Sequence, residues 1–216
     1  GGMAMFGLRR RDFILSGLGT VCALPLGAQS SAKTILVMGD SLSAEYGLAR
    51  GTGWVALLAT RLAQAKSPYT VVNASISGDT TSGGRSRLAA LLKQHQPALV
   101  VIELGGNDAL RGLPLDMTAD NLNAMTQAAR AAGAHVLLLG MQMPPNYGAD
   151  YGKRFAELYA KVAAAHKAAL VPFFLKGIAD DTDPLRWFQA DRIHPLASAH
   201  PRLLDNVWPT LAKLLK

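Results

Sequence analysis

The sequence predicts an α/β protein: a parallel sheet with helices on both faces. Two observations carry this. Five short apolar runs are continuous rather than alternating, at 34–38 (TILVM), 69–74 (YTVVNA), 98–104 (ALVVIEL), 134–140 (AHVLLLG) and 170–174 (LVPFF). Strands buried on both faces read this way, whereas a sheet with one wet face alternates apolar and polar residues. The segments between the runs carry helical spacing instead, and strand–helix alternation leads to parallel pairing through crossovers.

The elements follow in order. After the first run, Trp54, Leu58, Leu62 and Ala65 fall on one helical face. Leu122, Met125, Ala129 and Ala132 do the same before the fourth run, and Phe155, Leu158, Tyr159 and Val162 before the fifth. A last helix carries Leu203, Leu204, Val207, Trp208, Leu211 and Leu215, and Pro209 inside it is expected to kink or restart it. No repeat, low-complexity tract or linker interrupts residues 31–216, which read as one well-cored domain.

Residues 1–30 read differently. Arg9-Arg10-Arg11 precedes Asp12-Phe13-Ile14-Leu15, an apolar stretch to Leu26, and the small residues Gly27, Ala28, Ser30 and Ser31. That is a charged region, an apolar region and a cleavage zone. Arg10-Arg11-Asp12-Phe13 resembles a twin-arginine export signal, which implies a periplasmic or secreted protein. A membrane anchor and an ordinary N-terminal helix are the alternatives, although the run falls short of the roughly 20 residues that span a bilayer. Gly1-Gly2 ahead of Met3 reads as an expression remnant. Cys22, the only cysteine, lies in this segment, so residues 31–216 have no disulfide, thiolate chemistry or Cys-based metal site. The net charge of +7 comes from scattered residues. It does not indicate nucleic-acid binding, and at most favours anionic surfaces such as lipid headgroups weakly. Nothing in the pattern sets an oligomeric state.

In open parallel sheets, ligands bind beyond the carboxyl ends of the strands, at the switch point of the winding. Three loops there hold polar residues: Gly39-Asp40-Ser41, SISGDTTSGG at 75–84 and GGNDALRG at 105–112. In the common strand order 2-1-3-4-5 they are neighbours. Gly, Asp and Ser are ordinary turn residues. Ser41 also fits a nucleophile at a strand tip, beginning a helix whose N–H groups favour a developing anion. Asp191 and His194 stand three apart. On a turn, such a carboxylate can keep one ring nitrogen protonated and leave the other to take a proton from a serine. A turn aspartate and a surface histidine before Pro195 fit the same pattern. His200 has Ala197 where His194 has Asp191, and His95, at a helix end, His135, in a strand, and His166, on a polar helix face, read as structural or surface residues. Ser75 and Ser77 lack the strand-to-helix elbow of a nucleophile, and Ser43 would sit one residue pair deeper in the first helix. Gly78 offers an unobstructed backbone N–H and Asn107 an amide NH2, for an oxyanion or simply for a loop and a turn.

Four blocks occur in order: Gly39-Asp40-Ser41-Leu42, then Gly78, then Gly105-Gly106-Asn107-Asp108, then Asp191-Arg192-Ile193-His194. Together they resemble the SGNH (GDSL) hydrolase superfamily, and within it the bacterial arylesterase and multifunctional acyl-CoA thioesterase/lysophospholipase group. The resemblance covers residues 33–216. It implies a flavodoxin-like three-layer α/β/α sandwich with a five-stranded parallel sheet, a small-molecule acyl ester or thioester as substrate, and no metal or organic cofactor. It implies Ser41 as nucleophile, His194 as general base and Asp191 as its orienting acid. Gly78, Asn107 and the Ser41 amide would stabilise the oxyanion. Glu45 departs from the small residue expected there and puts the polarity of the pocket in question. An acyl groove is expected along Leu110 and Leu113 on one side and Met143, Pro144 and Tyr147 on the other. Two rivals remain: a carbohydrate O-acetylesterase, which would need aromatic platforms from Trp54, Trp187 or Trp208, and a non-catalytic ligand-binding domain.

Overall fold

The computed structural model describes residues 31–215, so the export-signal reading of 1–30, Cys22 included, falls outside the described residues. Five strands form one parallel sheet: β1 (Lys33–Gly39), β2 (Tyr69–Asn73), β3 (Leu99–Glu103), β4 (His135–Leu139) and β5 (Ala169–Val171). Their order is β2-β1-β3-β4-β5, as expected, and the winding reverses between β1 and β3. The continuous apolar runs have the expected cause. Ile35 to Gly39 and all of β3 are buried, whereas β2, an edge strand, is partly exposed. The fifth strand is shorter than the 170–174 expected, because Pro172 has no N–H for the ladder.

Six α-helices are present among the described residues: α1 (Trp54–Gln64), α2 (Thr81–His95), α3 (Gly106–Leu110), α4 (Leu115–Ala131), α5 (Ala149–His166) and α6 (His200–Ala212). Helix α1 packs on α6, while α4 packs between α2 and α5, giving the two outer layers of a sandwich. Most of the expected apolar faces are buried, with Trp54, Phe155 and Leu203 fully enclosed. Ala65 and Ala132 are corrections: both helices stop one residue earlier, so each alanine is a cap in solvent. Pro209 neither ends nor restarts α6. Its missing N–H would have bonded the carbonyl of Asp205, a residue on the exposed face where water can satisfy that oxygen. Leu215 lies beyond the helix end.

A further correction concerns Ser41. No helix begins there. Residues 41–47 form consecutive turns, with the Ser43 and Ala44 N–H groups both bonded to the Asp40 carbonyl, and α1 starts only at Trp54. Turn chemistry at Gly-Asp-Ser outweighed the apolar periodicity downstream.

Helix α1 is pinned to α6 by a buried polar contact. The Trp54 N–H donates to Nδ1 of His200 at 2.9 Å. His200 is 2% exposed, and burial pushes its pKa from 6.5 down to about 4, against the opposing charge of Glu45. The folded protein therefore keeps this imidazole neutral where the unfolded chain takes up a proton. Stability from this group is fully present above pH 6.5 and is lost as the pH falls towards 4, by about 3 kcal/mol. We expect denaturant titrations of the wild type and His200→Gln to diverge by about that amount between pH 7 and pH 4. Glutamine can still accept from Trp54 but does not titrate. Equal pH slopes in the two proteins would contradict the assignment.

Candidate active site

The site is built from the carboxyl ends of β1 and β3 and the loops that follow them. Ser41 follows β1 by two residues. Its Oγ lies 2.8 Å from Nε2 of His194, on a loop 153 positions away in sequence. Nδ1 of His194 lies 2.6 Å from Oδ2 of Asp191. An ionised Asp191 accepts the Nδ1 proton, which fixes the tautomer and leaves the Nε2 lone pair for the Ser41 hydroxyl. The other oxygen of Asp191 accepts the N–H groups of Ile193 and His194, at 2.9 and 3.0 Å. The carboxylate thus closes the turn and orients the ring together. The His194 N–H, the imidazole and the Ile193 N–H hold the Asp191 pKa down at about 2, so it stays ionised throughout the working range.

The loop bearing His194 is held by a residue that sequence reasoning missed. The Gln189 side chain donates to the carbonyls of Tyr46 and Pro195, at 2.9 and 3.1 Å, and its backbone N–H donates to the His194 carbonyl at 2.7 Å. Tyr46 lays its ring against the imidazole with centroids 4.2 Å apart. Arg192, at φ 60°, adopts the left-handed conformation that lets the Asp-Arg-Ile-His turn close. Only the Asp-x-x-His spacing signalled this loop; a lone glutamine carries no pattern.

Among the described residues, neither the Ser41 N–H nor the Gly78 N–H makes a hydrogen bond. Gly78 has φ +81°, and a Cβ there would meet only Arg111 Nη2, at 3.8 Å, so its backbone conformation rather than crowding calls for glycine. Arg111 braces this loop, its guanidinium donating to the Gly78 carbonyl at 2.8 Å. Asn107, in the first turn of α3, donates from its amide to the Asp79 carbonyl at 2.9 Å and to Oδ2 of Asp40 at 3.2 Å. Gly105 ahead of it has φ +118°, and a Cβ there would come within 2.3 Å of the Tyr159 hydroxyl, so only glycine lets the chain turn from β3 into α3.

The other serines are placed elsewhere. Ser43 is buried, accepting from the Trp54 indole N–H and donating to Glu103. Ser75 and Ser77 meet no imidazole among the described residues. Glu45 turns away from the site: its carboxylate accepts from the Gly51 and Gly53 N–H groups and secures the loop ahead of α1. It does so at φ 60°, which explains why a small residue is expected there. Leu110 and Tyr147 are exposed, at 44% and 38%. Leu113 and Met143 are half-buried and Pro144 is exposed, all on the loops after β3 and β4. Two clefts, of about 420 and 370 Å3, contain none of these five. The tryptophans offer no sugar platform: Trp54 is enclosed, Trp208 lies under Arg61, and Trp187 lies between Arg186 and Arg202 with its N–H on Asp181.

A doubly wound parallel sheet with a Ser–His–Asp chain at its switch point is the frame of a serine hydrolase. Residues 37–202 match the GDSL-like lipase/acylhydrolase family. The chain is 55% identical to esterase TesA of Pseudomonas aeruginosa over 205 residues, which is 95% of this chain and all of that protein. It is 44% identical to thioesterase 1/protease 1/lysophospholipase L1 of Escherichia coli, covering 82% of each chain. A crystal structure of TesA superposes with a TM-score of 0.81 at 58% identity, over 85% of this chain and all of that one. The chain belongs to the GDSL-like lipase/acylhydrolase (SGNH) family and is a carboxylic-ester hydrolase. This removes the reading as a non-catalytic binding domain.

The Gln189 clamp has a measurable consequence. Gln189→Ala leaves two carbonyls without their donor and loosens the loop that presents His194. It should lower kcat/KM by about tenfold, equivalent to roughly 1.4 kcal/mol. Steady-state kinetics at neutral pH check this, and unchanged kcat/KM would show that the loop is held by other means.

Proposed function

We propose that the enzyme hydrolyses acyl esters and thioesters through a covalent acyl-enzyme on Ser41. The observation that carries this is the unbroken hydrogen-bonded chain from Ser41 through His194 to Asp191. Ser41 Oγ attacks the carbonyl carbon while His194 Nε2 takes its proton. The resulting imidazolium, stabilised by Asp191, returns the proton to the departing alkoxide or thiolate as its bond to carbon breaks. Water then repeats the sequence on the acyl-enzyme and releases the acid.

The oxyanion formed in each half lies among the Ser41 N–H, the Gly78 N–H and the Asn107 amide. The first two have no competing acceptor. Asn107 contributes through the proton of its longer contact, the 3.2 Å one to Asp40, which the oxyanion shares as a three-centre bond. Asn107→Ala should therefore lower kcat by roughly 10²–10³ with little change in KM, the usual loss of one oxyanion donor. A rise in KM alone would make Asn107 a binding residue.

We assign the acyl chain to the exposed apolar surface of Leu110, Leu113, Met143, Pro144 and Tyr147. Apolar side chains on both loops suit different leaving groups, in keeping with a substrate range of aryl esters, acyl thioesters and lysophospholipids. The E. coli relative is named a thioesterase and lysophospholipase, and one from Vibrio mimicus an arylesterase. The twin-arginine-like segment supports export to the periplasm or beyond. A panel of p-nitrophenyl esters of increasing length, acyl-CoAs and a lysophospholipid tests the substrate assignment. Each buried methylene is worth up to about 0.8 kcal/mol, so kcat/KM should climb up to fourfold per carbon until the surface is covered. Leu110→Ala should flatten that climb while keeping short-ester hydrolysis. A strong preference for acetate would favour the carbohydrate O-acetylesterase.

A further inference from the structure

Two carboxyl groups are buried side by side behind the site. Asp40 follows the last residue of β1, and Glu103 is the last residue of β3, in register with Gly39. Asp40 is 3% exposed and Glu103 0%. Neither forms an ion pair with a Lys or Arg among the described residues. Two carboxylates cannot both stay ionised in such surroundings, so the pair holds a proton.

Hydrogen bonding shows where that proton sits. The Trp54 indole is a donor only, so Ser43 Oγ accepts from it and turns its own hydrogen to Oε2 of Glu103, at 2.8 Å. The Asp40 N–H reaches the same oxygen at 3.3 Å. Oε2 is thus an acceptor. Oε1 has no donor, and a buried anionic oxygen without one is costly. The Glu103 and Asp40 carboxyls are hydrogen-bonding neighbours, so a proton held on Glu103 can be donated to Asp40. Asp40 in turn accepts from the Leu42 N–H at 3.0 Å on Oδ1 and from the Asn107 amide on Oδ2. One carboxylate therefore shapes the turn that carries Ser41 and orients the Asn107 amide.

We propose that Glu103 is a positioning residue: as a neutral acid, it donates a hydrogen bond to Asp40 and keeps Asp40 an anion able to hold the Ser41 turn and the Asn107 amide. This rests on the reading of Ser41 and Asn107 given above. The surroundings agree in direction. Burial first, and the Asp40 charge second, raise Glu103 well above the usual carboxylate range. Burial raises Asp40 to about 6, the Leu42 N–H and Glu103 restraining it, so it is mostly ionised at neutral pH. The other ionisable groups facing the pair are His194, whose positive form favours the Asp40 anion, and Asp79, which opposes it. Tyr159 of α5 is held protonated first by its burial and also by the charges of Asp40 and Asp108.

The test compares Glu103→Gln, whose amide keeps one donor and one acceptor, with Glu103→Leu, which keeps neither. Glu103→Gln should retain kcat to within about threefold, because it still donates to Asp40. Glu103→Leu should lose roughly 10- to 100-fold in kcat with KM unchanged, and the acid limb of its kcat profile should move to higher pH by about one unit. In an Asn107→Ala background the Leu substitution should cost less kcat than it does alone, because part of its effect runs through that amide. Independently of activity and of the folding of the Leu variant, the wild type at neutral pH should show an infrared band of a buried protonated carboxyl that Glu103→Gln lacks. Absence of that band in the wild type would overturn the proposal. So would a Gln variant as impaired as Leu, or a full Leu penalty retained without Asn107. Ser41→Ala is measured alongside: full activity there would undo the reading of the site itself, which the Glu103 results alone cannot do.

Discussion

The 2.8 Å contact between Ser41 and His194 is the interaction on which the rest of this structure depends. It joins residues 153 positions apart, and each end is fixed by different means. Ser41 is delivered by β1, whose buried residues leave no freedom of register. His194 sits on a loop with no regular structure of its own. Asp191 closes its turn, Gln189 ties it to Tyr46 and Pro195, and Phe188 and Pro195 bridge its base. The α1–α6 packing, with the Trp54–His200 bond inside it, fixes the far side of the same loop. The sheet and this layer of helices thus jointly set the position of one imidazole to within hydrogen-bond tolerance.

The edge of the sheet is unusual for what it buries. Asp40, Glu103 and Asp108 lie within or just beyond the strand ends and are almost wholly enclosed. Asp108 is matched by the Thr81 N–H and by the hydroxyls of Thr81 and Thr118, which locks α2, α3 and α4 together. Asp79 is matched by Arg87. Asp40 alone faces the reacting side, with amide donors and a neighbouring acid in place of a cation. A cation paired with Asp40 would displace the Asn107 amide from its carboxylate. A neutral acid supplies the hydrogen bond without the charge.

Much of this was legible in the sequence, for reasons that particular residues show. Strands covered on both faces write themselves as unbroken apolar runs, so all five strands could be read; their order follows from the common doubly wound arrangement and not from the runs. Asp191 and His194 could be read because an orienting carboxylate needs a short spacing to its imidazole, and Ser41 because it stands at a strand tip, whereas Gly78 and Asn107 fit a loop and a turn equally well and gained a role only through the order of all four blocks. The turns at 41–47 were not legible, since they place Glu45 as well as Gly47 at positive φ, and a glutamate gives no sign of that. Gln189, Tyr46 and Glu103 act through single long-range contacts. Such contacts leave no period or spacing in the chain. The loop residues from Leu110 to Tyr147 could be placed on the correct edge, but the shape of the surface they form depends on side-chain packing that no pattern encodes.

The claim that Ser41 carries the acyl group is tested most directly by quenching turnover in acid and weighing the intact protein. With a slowly deacylated p-nitrophenyl ester, the account predicts a mass increase equal to one acyl group, formed in step with a burst of nitrophenol and mapping to the peptide that contains Ser41. It predicts no adduct in Ser41→Ala. Steady turnover without any adduct or burst, or an adduct on another residue, would contradict it.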